Sequence, residues 1–238
     1  MLDKLENMDK IQVMKKYICI FIIIISTNSL FASTGGEVEF TCPLCNTKFN
    51  YWVQFSYSVF GQNLDLRQTG AAIIPAPIPK CSNCNFIFNN NFFTEDEISC
   101  LKIELEQNNI FEKEPNMPNY FYLARECEII KRDLDNIIWF FLSALWENRD
   151  INKKNFLINI TIDYINKLEN TSEEYNTYQL VKLDLLRRSG QFNEAKELIE
   201  VIKLNKDFFT DYIVEIIDLQ IELIENNNQE EHSLPRRK

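Results

Sequence analysis

Cys42-Pro43-Leu44-Cys45-Asn46-Thr47-Lys48-Phe49 returns later in the chain as Cys81-Ser82-Asn83-Cys84-Asn85-Phe86-Ile87-Phe88, and both copies read CxxCNxxF. Two thiolates two residues apart, on a tight turn whose amides point at the sulfurs, form half of a tetrahedral metal site, and a second such turn completes it. The residue after the second cysteine needs a left-handed backbone, which Gly adopts without strain and Asn tolerates next best. Asn46 and Asn85 meet that need, and Phe49 and Phe88 should leave the turns on strands beside the cluster. The spacing predicts a structural Zn2+ site held by Cys42, Cys45, Cys81 and Cys84. The competing reading is a disulfide framework, because these four together with Cys100 and Cys127 make an even set beyond residue 32. Cys100 and Cys127 fall in apolar-periodic stretches, where cysteine serves as a small buried hydrophobe.

The amino terminus sets the expected compartment. Met14-Lys15-Lys16 precede an apolar run from Tyr17 to Ile25, then Ser26-Thr27-Asn28-Ser29 and Leu30-Phe31-Ala32-Ser33. A basic start, a short apolar core and a small residue at the cut describe a secretory signal peptide over 1–32, cleaved after Ala32. The run is about half the ~20 residues that a spanning helix needs, so no stable membrane span is expected after cleavage. The alternative is anchoring by an uncleaved segment. The polar stretch 1–13 is unusual ahead of a signal, and a start at Met14 would account for it. Export to the periplasm, cell envelope or medium follows, which sets an oxidising compartment against the zinc spacing.

The 238 residues are 45% hydrophobic, enough for one medium domain and a small module. The net charge is −10, and residues 1–32 contribute four lysines against three acidic residues, so the remainder is more acidic still. A chain of that sign is repelled by phosphate backbones, so no nucleic-acid partner is expected.

Residues 33–93 are rich in aromatic and β-branched residues with turn punctuation, which predicts short strands around the knuckles in a zinc-ribbon-like head. Pro75, Pro77 and Pro79 hold the chain extended up to Cys81. Asp65 and Arg67 read as a polar hinge or local ion pair in a solvated loop. From 94 to 226 the period becomes helical. Thr94-Glu95-Asp96-Glu97 predicts a capping box, and helices are expected over 119–131, 134–147, 154–168, 174–188, 193–204 and 208–225. Within them, Leu183 to Ala195 reads as the middle of a tetratricopeptide repeat: Gly190 closes one helix, Phe192 fills the corner, and Ala195 sits at a close crossing. Residues 227–238 read as a solvated, disordered tail. The expected fold class is therefore α+β, a small β-rich zinc-ribbon-like head followed by an all-α, tetratricopeptide-like helical-hairpin array.

Cys42, Pro43, Cys45, Cys81, Cys84 and Phe88, with the segment from Gly190 to Ala195, resemble the bacterial family known as domain of unknown function 2225. That resemblance implies a zinc-ribbon-like head joined to tetratricopeptide-like helices and brings no activity. The family often has Gly after each CxxC, where this chain has Asn46 and Asn85.

Catalytic constellations are sparse. The sole histidine is His232, and there is no GxSxG or phosphate-cradling glycine loop among 5 glycines. Glu104, Glu106, Glu126 and Glu128 read as solvated helix faces. The expectation is an exported, non-catalytic zinc protein whose array binds a protein or peptide partner, with Trp52, Tyr57, Tyr120, Tyr122, Trp139 and Trp146 as candidate anchors that burial preference mostly assigns to the core. The alternative is an envelope thiol-disulfide or metal-handling protein using the CxxC pairs.

Overall fold

The computed structural model describes residues 34–88, 92–108, 110–172, 174–204 and 209–235. The expected signal peptide lies outside them. Strand β1 (Thr34–Thr41) runs into the first knuckle and β2 (Lys48–Ser56) leaves it, paired antiparallel with Phe40 opposite Phe49. A second hairpin, β3 (Ser58–Gln62) and β4 (Gln68–Ala71), forms its own two-stranded sheet. Gly70 is required by close approach, since a Cβ there would lie 2.1 Å from the Ser58 carbonyl oxygen. Beyond the proline run, Lys80 and Ile87 make one antiparallel bridge across the second knuckle, in place of the strand expected at 86–88.

Eight helices follow among the described residues: α1 (Glu95–Gln107), α2 (Ile110–Lys113), α3 (Asn119–Ile129), α4 (Leu134–Glu147), α5 (Ile151–Ile165), α6 (Tyr175–Arg188), α7 (Phe192–Lys203) and α8 (Asp211–Glu225). Thr94 caps α1 in the predicted box: its Oγ1 accepts from the Glu97 amide, and the Glu97 carboxylate accepts from the Thr94 amide. Asp150 caps α5, accepting from the Asn152 amide, so this helix begins earlier than its periodicity suggests. Three helices end in the same paired-carbonyl turn. After α6, Gly190 sits at φ +80°, its amide bonds the Arg187 carbonyl and the Gln191 amide reaches the Leu186 carbonyl. Lys131 after α3 and Asn227 after α8 adopt the same left-handed position with the same pair of bonds. From α3 to α8 each helix packs on the next, and α6 also touches α8, giving an array of helical hairpins. The fold is thus an α+β head followed by a helical array.

One hydrophobic cluster runs without a break from Phe40, Phe86 and Phe88 in the head through Leu101, Phe121, Phe141 and Leu157 to Ile199 and Ile217. The head therefore shares its core with the helices. A chain of ring contacts marks the route, from Phe40 and Phe49 through Phe88, Phe86, Phe93 and Phe92 to Phe140 of α4.

A buried charge cluster makes a second junction. Asp65, in the loop after β3, is 1% exposed. Its carboxylate accepts from Arg188 Nη1 at 2.6 Å, from Trp146 Nε1 at 3.0 Å and from the Arg67 amide at 3.1 Å. The solvated hinge expected at Asp65 is thus corrected: the side chain ties the head to α4 and α6. Arg188 also pairs with Asp184 at 3.5 Å and Glu231 at 2.7 Å, and Arg187 pairs with Asp184 at 2.6 Å. The disorder expected from residue 227 is corrected for residues 227–235. Arg187 donates to the Asn228 carbonyl, the Leu64 amide to the His232 carbonyl, and the Leu234 amide to the Gln62 carbonyl, so this segment lies antiparallel along 62–64. Leu234 packs against the small cluster of Leu64, Ile216 and Leu223. Polar composition hid the segment, because its bonds are to main chain and to buried arginines.

Replacing Asp65 with Ala removes one partner of a buried pair and leaves the Trp146 N–H unmatched. The expected loss is about 3–5 kcal/mol of unfolding free energy, read by chemical denaturation with Trp146 fluorescence as reporter.

Candidate metal centre

The first knuckle is closed by the Asn46 amide bonding the Cys42 carbonyl at 2.8 Å and the Cys42 amide bonding the Thr47 carbonyl at 2.9 Å. The second repeats both bonds, Asn85 to Cys81 at 3.0 Å and Cys81 to Phe86 at 2.9 Å. Asn46 and Asn85 lie at φ 57° and 62°, the left-handed positions the motif requires. Phe49 and Phe88 meet edge to face with centroids 6.0 Å apart, below the joined knuckles.

These turns bring Cys42, Cys45, Cys81 and Cys84 together with all four sulfurs within 4.8 Å of one another. Two sulfur contacts cross between the knuckles: Cys42 to Cys84 at 3.6 Å and Cys45 to Cys81 at 3.5 Å. A tetrahedron with metal–sulfur bonds of about 2.3 Å has sulfur–sulfur edges of about 3.8 Å, so the donor set has the size and the all-thiol chemistry of a four-coordinate site.

No family model, no curated protein and no solved structure matches this chain. The site must be read from its own geometry.

Electrostatics explain why such a cluster calls for a cation. Burial pushes the Cys42 thiol up to about 11, and burial together with its neighbouring thiols pushes Cys84 higher still. At Cys45, burial is outweighed by hydrogen bonds from Thr47, Asn83 and Cys81, and its pKa falls to about 6. One thiolate is tolerated and further charge is resisted, which a divalent ion reverses.

Two readings of individual residues change. Cys127 is fully buried as expected, whereas Cys100 is exposed on α1. Glu126, expected on a solvated face, is fully buried, and its Oε1 accepts from the Ile87 amide at 3.2 Å. Burial raises its pKa well above the usual carboxylate range, so a neutral acid ties α3 to the second knuckle. Nothing in the local sequence distinguished it from Glu128, which lies two residues along α3 and pairs with Arg125 at 2.9 Å. Among the candidate anchors, Tyr122 and Trp146 are buried, Tyr120 is half-buried, and Trp52, Tyr57 and Trp139 are exposed.

Burial raises the Cys42 and Cys84 thiols, so binding Zn2+ near neutral pH should release at least two protons. The apparent affinity should then fall about 100-fold for each pH unit of acidification, measured by competition titration and by calorimetry in two buffers.

Because the folded pKa of Glu126 is raised, its contribution to stability is fully present below the unfolded pKa of about 4.3 and is lost as pH rises through the folded pKa. Glu126→Gln should therefore gain stability on the parent as pH rises through that window, by up to about 1.4 kcal/mol per unit, in denaturation series across pH.

Proposed function

We propose that this chain is an exported, non-catalytic zinc protein in which a four-cysteine Zn2+ site fixes the head and the helical array engages a protein or peptide partner. The observation that carries the reading is the meeting of Cys42, Cys45, Cys81 and Cys84 within 4.8 Å. Zinc is the metal of choice because it takes four thiolates in a tetrahedron with no electronic preference to satisfy and no electron to exchange. The resemblance to the domain of unknown function 2225 family is consistent with this architecture and belongs to the same proposal. Export rests on the sequence of residues 1–32; among the described residues, no helix is long and apolar enough to cross a membrane.

The partner surface we assign is the exposed aromatic face beside β3. Tyr57 and Trp139 line a cleft of about 200 Å³ with Pro75, Ile73 and Trp146, and Phe55 and Phe60 stand exposed along the same hairpins. Exposed rings around a small apolar cleft supply the rigid anchors that dominate protein interfaces. The thiol-disulfide alternative is less well supported, because sulfurs of the two knuckles contact one another, Cys42 with Cys84 and Cys45 with Cys81, as a shared four-ligand site requires.

Protein exported by its own signal and purified without reductant should carry about one zinc per chain by elemental analysis and native mass spectrometry, with the four cysteines unreactive until chelation. A metal-free mass lower by two or four hydrogens would instead establish disulfides. Replacing Tyr57 and Trp139 together with Ala should abolish partner cross-linking while leaving the zinc content unchanged.

A further inference from the structure

Burial divides the four cysteines into two kinds. Cys42 and Cys81, the first of each knuckle, are 0% exposed. Cys45 and Cys84, the second of each, are half-buried and open onto a groove of about 1010 Å³ between the knuckles and the α1–α2 region. Lys102, Glu106 and Gln107 of α1 and Lys113 of α2 stand along that groove, and all four side chains are exposed. One edge of the tetrathiolate therefore faces solvent through a passage wide enough for a side chain, while the opposite edge is sealed into the core shared with Phe40, Phe86 and Phe88.

That asymmetry bears on how the site exchanges its metal, a question that arises only if the metal reading above holds. Ligand exchange at four-coordinate zinc proceeds by approach of an additional donor, since zinc expands readily to five ligands. A sealed site denies that approach and releases its ion only when the fold opens. Here the approach is open on one side. We propose that Cys45 and Cys84 form the exchange edge of the site, and that the groove admits a thiol-bearing acceptor that draws the metal out ligand by ligand. An acceptor thiol would replace one of these two ligands, its sulfur taking the vacated position and its proton passing to the cysteine sulfur that leaves. No electrons move, and the metal keeps its oxidation state. Thr47 Oγ1, 3.2 Å from the Cys45 sulfur, is placed to hold the resulting thiol. Cys42 and Cys81, sealed on the opposite edge, would leave last. The second function added by this edge is metal transfer to or from thiol ligands.

The test starts from protein shown to carry zinc, so that absence of metal is a failure of the site and not of its exchange edge. Zinc loss to dithiothreitol should rise in proportion to dithiothreitol concentration, and in aliquots withdrawn during the reaction and freed of dithiothreitol by rapid desalting, N-ethylmaleimide should label Cys45 and Cys84 about tenfold more than Cys42 and Cys81 by peptide mapping. Gln107→Trp, an exposed substitution that narrows the groove, should slow this loss several-fold with zinc affinity unchanged. A rate independent of dithiothreitol, or equal labelling of all four cysteines, would show that the site opens by unfolding and would overturn the proposal.

Discussion

Four sulfurs drawn from two distant turns cannot all carry charge at this separation without a cation between them, and the head is built around that constraint. Its two hairpins share no strand, so no backbone ladder joins them. Isolated two-stranded hairpins are marginal in water, and the single bridge between Lys80 and Ile87 adds little. What brings the halves of the head together is the meeting of the knuckles and the phenylalanine layer beneath them. The raised thiols of Cys42 and Cys84 show the cost of the cluster without a metal, and the same proximity becomes an asset once a divalent ion is shared among them.

The head does not stand apart from the helices. Phe86, Phe88, Phe92 and Phe93 pass its core to α4, and Glu126 reaches from α3 to the amide of Ile87 just beyond the second knuckle. Cys42 and Cys81 thus belong to the same core as the array. On the far side, Asp65 makes an electrostatic junction. Arg188 faces Asp65, Asp184 and Glu231, with Arg187 beside Asp184 and Arg67 beside Glu231 at 2.6 Å, so charges of both signs alternate through the cluster. Buried pairs of this kind add little net stability over apolar packing but make any other docking of the head costly, because each misplacement strands a charge. The segment 228–235 closes this junction with main-chain bonds to Gln62 and Leu64.

The two faces of the head therefore differ in kind. Toward the helices it is sealed by aromatic packing and buried charge. Where it stays open it presents the Cys45–Cys84 edge, on the groove it forms with α1 and α2, and the exposed rings of Phe55, Tyr57 and Phe60, which are the surfaces available to ligands and partners.

The sequence by itself determined everything whose cause is local. The CxxCNxxF spacing dictated turn geometry because a left-handed residue must follow the second cysteine. Thr94 and Glu97 dictated a helix start because a side chain and an amide three residues apart can reach each other, and Gly190 dictated a helix end because it accepts positive φ. Only the tertiary structure decided the roles of Asp65, Glu126, Cys100 and the segment 228–235, since a carboxylate in a polar loop or on a helix looks the same in sequence whether water or Arg188 faces it. It also decided which two of four equivalent-looking cysteines meet solvent. Burial is a property of what packs against a residue, and those neighbours come from elements far away along the chain.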